Sequence, residues 1–95
     1  MSTPTVPIAL FRLGKIVATP NALEQLSPED ILAAIQRHQA GDWGEVAAED
    51  RQQNEHALQE GLRLFSVYRA AKGTKFWVIT DAGREVTTLL LPEDY

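Results

Sequence analysis

The chain has 95 residues, 44% of them hydrophobic and 23% charged, which is the composition of one globular domain with its own core rather than of a disordered chain. It contains no cysteine, which excludes disulfide staples, thiol catalysis and the usual structural zinc sites, and points to the cytoplasm. A net charge of −4 disfavours bulk binding to phosphate backbones, although a local contact with nucleic acid stays open.

Residues 1–7, Met1-Ser2-Thr3-Pro4-Thr5-Val6-Pro7, lack the basic and long apolar regions of a signal peptide and read as a flexible tail before a single domain over 8–95. No apolar run approaches the ~20 residues that span a bilayer, so no membrane partner is expected. Lys15-Ile16-Val17-Ala18 predicts a strand, since β-branched residues dominate and Thr19-Pro20 ends it. Residues 21–26 predict a short helical turn. Ser27 is then a strong N-cap, with Pro28 at N1 and Glu29 and Asp30 at the positive end of the helix dipole. This helix is expected to run to Gln39 and to stop at Gly41 as a left-handed cap, with Ile31, Leu32, Ile35 and His38 on its apolar face. Gly41-Asp42-Trp43-Gly44 predicts a tight turn. A second long helix follows over 48–60, ended by Gly61, and its inner face would hold Asp50, Asn54, Ala57 and Leu58.

The last third predicts a β-meander with strands over 62–69, 75–80 and 85–91. Lys72-Gly73 and Ala82-Gly83 stand where hairpin turns need positive φ. If both turns are two-residue loops, Tyr68 lies opposite Trp77, and Trp77 opposite Thr88. One face then carries Phe65, Val67, Phe76, Val78 and Leu89 as core. The other carries Leu64, Ser66, Tyr68, Trp77, Ile79, Val86, Thr88 and Leu90. The expected fold is α+β, a helical layer on a three- to four-stranded, mainly antiparallel sheet in the order β-α-α-α-β-β-β. Charge is segregated along this order. Residues 24–60 hold nine acids against Arg37 and Arg51, whereas residues 61–92 hold five bases against Asp81 and Glu85.

Three segments together carry a likeness. Leu13 to Pro20, Arg37-His38 with Gly41-Asp42-Trp43-Gly44, and Trp77-Val78-Ile79-Thr80 with Arg84, Thr87-Thr88 and Leu91-Pro92-Glu93-Asp94-Tyr95 resemble a family of small bacterial proteins without a settled activity, often met on plasmids and other mobile elements. The layout alone is similar to RelE/ParE toxins and, more distantly, to barnase-like ribonucleases, an analogy of architecture that implies no function by itself.

The chemistry-bearing residues admit two readings. His38, Tyr68 and Arg84 are the right types for metal-free RNA cleavage, as base or acid and phosphate clamp, with Trp77 to stack a base. Asp42 and Trp43, between glycines, could wall a ligand, and a His38–Asp42–Asp50–Asn54 network could orient an imidazole. The structural counterpart of each is a buried, hydrogen-bonded side chain that locks helices and turn together. The face bearing Ser66, Trp77 and Thr88 could equally meet a protein partner or a second copy of the chain, or form a second, smaller core under the N-terminal strand. No His-x-x-x-His pair, EF-hand or Walker pattern occurs, so no metal or cofactor is expected. With an acidic helical layer that would also suit a DNA mimic in an anti-defence role, the favoured expectation is a cytoplasmic binding or regulatory protein of a mobile element. The alternative is a metal-independent ribonuclease.

Overall fold

The computed structural model describes residues 9–95; the tail assigned to residues 1–7 lies outside them. The chain forms β1 (Lys15–Ala18), α1 (Pro20–Gln25), α2 (Pro28–Gln39), α3 (Ala48–Glu60), β2 (Leu64–Arg69), β3 (Lys75–Thr80), β4 (Val86–Leu90) and a final 3-10 turn, Pro92–Asp94. The fold is α+β in the expected order. The four strands make one mixed sheet, ordered β1-β4-β3-β2, in which β1 runs parallel to β4 and the remaining pairs are antiparallel. Among the described residues, no helix is long and apolar enough to cross a membrane.

The start of α2 follows from its first residues. Ser27 Oγ accepts from the Asp30 N–H at 3.1 Å, and Asp30 Oδ2 accepts from the Ser27 N–H at 3.0 Å, a reciprocal box that satisfies two donors the helix would leave orphaned. The second Asp30 oxygen accepts from the Ala71 N–H at 3.0 Å, tying the helix start to the β2–β3 loop. These bonds hold the Asp30 carboxyl below the usual range, the Ser27 backbone contact contributing most. The buried stripe of α2 is narrower than expected. Ala34 and His38 are buried and Ile31 and Ile35 partly so, while Leu32, a neighbour about 100° round the helix from Ile31, is 58% exposed.

Only Asn54 and Ala57 of α3 are buried. Asp50, expected on the same inner face, is exposed. The polar residue that does turn inward has a clear task. Asn54 Nδ2 donates to the Phe65 carbonyl at 2.6 Å, and its Oδ1 accepts from the Phe65 N–H at 3.0 Å. One side-chain amide thus supplies β2 with the donor and acceptor of a neighbouring strand. Two residues on, Val67 N–H donates to Trp43 O at 3.0 Å and Val67 O accepts from Glu45 N–H at 2.8 Å. The helix and the 43–45 segment together cover an edge that would otherwise be open to pairing.

Both hairpin loops are longer than expected, with different consequences. Ala70 N–H donates to Thr74 O at 2.8 Å, leaving Ala71-Lys72-Gly73 as a three-residue loop. A two-residue loop of the favoured type needs positive φ at both central residues, and here only Gly73, at +97°, has it. The added residue shifts β2 by one. Tyr68 therefore pairs with Phe76, and Val67 with Trp77, and every β2 side chain changes face. The second loop spans Ala82–Glu85, between the paired Asp81 and Val86, with Gly83 and Arg84 left-handed at +88° and +63°. That shift is two residues: Trp77 pairs with Leu90 and Thr88 with Ile79, so the faces of β4 are those expected.

As a result, Leu64, Ser66 and Tyr68 join Phe76, Val78, Thr80, Thr87 and Leu89 under the helices. Ala22 and Leu26 of the α1 region, with Ala34, Ile31 and Ile35 of α2, pack on this face. Phe65 and Val67, expected in that core, stand on the opposite face with Trp77, Ile79, Val86, Thr88 and Leu90.

Candidate functional site

The helix-covered face contains a continuous line of buried polar groups. His38 enters from the last turn of α2, and both ring nitrogens are engaged: Nδ1 lies 2.6 Å from Ser66 Oγ and Nε2 2.9 Å from Thr80 Oγ1. Thr80 Oγ1 lies 2.8 Å from Thr87 Oγ1, and Thr87 donates to the Leu13 carbonyl at 2.7 Å. All four side chains are completely buried. Each hydroxyl has one hydrogen, and this sets the direction of the whole line. Thr87 spends its hydrogen on Leu13, so Thr80 must donate to Thr87, and His38 Nε2 must carry the proton it gives to Thr80. Nδ1 is then bare and accepts from Ser66. His38 is a neutral Nε2–H tautomer within a fully satisfied network.

Aromatic rings seal this line. Phe11 meets the His38 ring edge-on at 5.2 Å, and Trp43 meets it at 5.7 Å. Phe11 is held by its own neighbourhood, with Leu10 N–H on Gln39 O and Gln39 Nε2 on Phe11 O, both 2.9 Å. Burial, with the Arg84 charge as a smaller contribution, pulls the His38 pKa down to about 3. A serine–histidine pair needs a carboxylate or equivalent to stabilise the imidazolium it forms. Here the second ring nitrogen meets a threonine hydroxyl, and the positive charge nearby opposes protonation.

The other residues expected to act with His38 are also committed. Tyr68 is buried, its hydroxyl donates to the Asp42 carbonyl, and burial pushes its phenol well above the usual value. Arg84 lies over the Phe11 ring at 5.6 Å and donates to Ala57 O at 2.9 Å and to Leu62 O. It adds a bond to the Ala57 carbonyl, which already accepts from the Gly61 and Leu62 N–H groups, and takes up the Leu62 carbonyl just past the end of α3, where a cation also suits the helix dipole. His38, Tyr68 and Arg84 thus do not present free polar groups to one cleft. The proposed His38–Asp42–Asp50–Asn54 network does not form either. Asp42 takes a two-pronged bond from Arg37, at 2.8 and 3.2 Å, and accepts from the Gly44 N–H. The Arg37 contact chiefly holds its carboxyl below the usual range. Trp43 is buried and donates its indole N–H to Glu55 at 2.9 Å. Among the described residues no cluster of side chains could hold a metal ion.

The opposite face of the sheet is different in kind. Of the binding residues expected there, Trp77 and Thr88 are in place and partly exposed, while Ser66 has gone to the buried line. Phe65 takes up the vacated position and meets Trp77 edge-to-face at 5.1 Å and 82°. Tyr95 meets the Trp77 ring at 5.5 Å and 67°, and the Arg63 guanidinium lies 5.2 Å over the Tyr95 ring. Tyr95 is 70% exposed. Arg63, Tyr95, Trp77 and Phe65 form one connected group on a face that also presents Thr88 and Val86. Sequence parity assigned Phe65 to the core, and only the loop length moves it. Phe11 likewise left no periodic signal, because it lies outside any helix or strand.

Comparison of the chain with protein-family models, curated proteins and solved structures found no match.

Proposed function

We propose that this is a small cytoplasmic binding or regulatory protein that acts by docking another protein on the open face of its sheet. The observation that carries the reading is the connected, partly exposed group Phe65–Trp77–Tyr95–Arg63. Trp, Tyr and Arg are the residues that most often anchor protein interfaces; Phe65 and Trp77 pack inward against the buried cluster of Trp43, Val46, Ala57, Leu64 and Val67, yet both stay partly exposed. The likeness to plasmid-borne proteins sets the first partners to try, the products of adjacent genes. The absence of cysteine supports the cytoplasmic placement.

The test is co-expression with those neighbours, beside sedimentation of the protein alone. Association by the wild type that is lost in Trp77→Ala, with an intact far-UV spectrum, is the expected result. A chain that stays monomeric at every concentration and captures no neighbour would overturn the reading. The ribonuclease alternative draws no support from the arrangement of His38, Tyr68 and Arg84. Incubation of wild type and His38→Ala with RNA in EDTA examines it directly, and cleavage by the wild type alone would replace the docking reading with an enzymatic one.

A further inference from the structure

The charge around the open face narrows what can sit on it. The strand residues that point to this face are Lys15 and Val17 of β1, Val86, Thr88 and Leu90 of β4, Lys75, Trp77 and Ile79 of β3, and Phe65, Val67 and Arg69 of β2. Three are cations and none is an acid, although the whole chain carries 13 acids against 9 bases. Arg69 is held by Glu45 at 3.0 Å. Lys15 and Lys75 are exposed, and Arg63 is engaged through the Tyr95 ring. Beside the aromatic group, a cleft of about 400 Å³ is lined by Asp50, Gln53, Asn54, Arg63 and Phe65. It sets a guanidinium next to an aromatic ring at the rim of the face.

We propose that the open face takes a protein segment in which acidic residues flank a large apolar side chain. This rests on the docking reading above and names the chemistry of the partner. The apolar side chain would pack on Phe65 and Trp77, and the flanking carboxylates would meet Lys15, Lys75 and Arg63. Electrostatic complementarity of this kind selects partners and raises association rates more than it adds affinity. A single-stranded nucleic acid fits less well. The rings meet edge-to-face rather than as parallel platforms, and Arg63 covers one side of Tyr95, so no base could stack between free aromatic faces. A second copy of the chain, joined face to face about a two-fold axis, would bring two faces together whose strand residues carry cations and no acid.

The experiment selects a randomised peptide library displayed on phage against the full chain, then measures the enriched peptides by fluorescence anisotropy. Arg63→Glu/Lys75→Glu reverses charge at two exposed positions without touching the core, and Trp77→Ala removes the anchor. Enrichment of peptides with Asp or Glu around Phe, Trp or Leu is expected, weakened by about tenfold or more in each variant. If Trp77→Ala abolishes binding but charge reversal leaves it unchanged, or the enriched peptides are basic or uncharged, the face docks protein but the acidic partner is wrong. If binding survives Trp77→Ala, the docking face itself is wrong. A library that yields nothing, with oligothymidylate bound instead or with Trp77-dependent self-association, overturns the acidic-segment inference.

Discussion

The buried His38 makes the stability of this protein depend on pH well above the range in which carboxylates titrate. In the unfolded chain its imidazole takes a proton near its ordinary value of 6.5, whereas burial lowers the folded value to about 3. Between those values the unfolded state binds one proton that the folded state refuses, so stability falls as pH falls, by about 1.4 kcal/mol per pH unit. From pH 7 to pH 5 the loss from this one group is about 2 kcal/mol, or roughly 10 °C in melting temperature for a domain of this size. Asp30, Asp42 and Asp94 have lowered values, so their stabilisation is present above 3.8 and is lost only below it. They leave the window from pH 7 to pH 5 to His38. The measurement is urea unfolding at pH 7 and pH 5 for the wild type and His38→Gln. The variant is expected to be less stable at pH 7, because it disturbs a satisfied buried network, yet to show a flatter dependence on pH. Equal wild-type stability at the two pH values, or a His38 ring resonance titrating between pH 6 and 7 in the folded protein, would refute the argument.

Three further predictions concern the frame. Asn54→Ala removes both bonds to the Phe65 backbone and should cost about 2–3 kcal/mol in denaturant unfolding; Asn54→Leu, which keeps the bulk, should not rescue it. Gly44 has φ +74°, and an added Cβ would lie 2.0 Å from Val67 O and 2.7 Å from Tyr68 Cδ1. Gly44→Ala should therefore cost at least about 2 kcal/mol, visible as a lowered melting temperature, because the obstructing atom is backbone already bonded to Glu45. Ser27→Ala should cost about 1 kcal/mol by the same melt, and an unchanged melt would show that the Asp30 half of the box suffices alone.

Much of the fold was legible in local chemistry. The Ser27 cap, the stop at Gly41, the β-branched run of β1 and the element order all depend on neighbours within one or two turns of chain, and the structure agrees with each. The inward Asn54 was also legible as a polar residue that must find partners. What those partners are was not, since Phe65 lies 11 residues away and is reached only when α3 packs along β2. The candidate site was lost at a single step. Lys72-Gly73 reads as a two-residue turn, but Lys72 does not adopt the positive φ that turn requires, so the loop takes a third residue and β2 turns over. Side chains alternate with a period of two, and a shift of one moves Ser66 and Tyr68 into the core and brings Phe65 out beside Trp77. Either set of faces was apolar enough to serve as a core, so hydrophobic pattern alone could not choose between them. The choice fell to contacts distant in sequence: His38 needs a hydroxyl on each ring nitrogen, and only the register that buries Ser66 beside Thr80 supplies both.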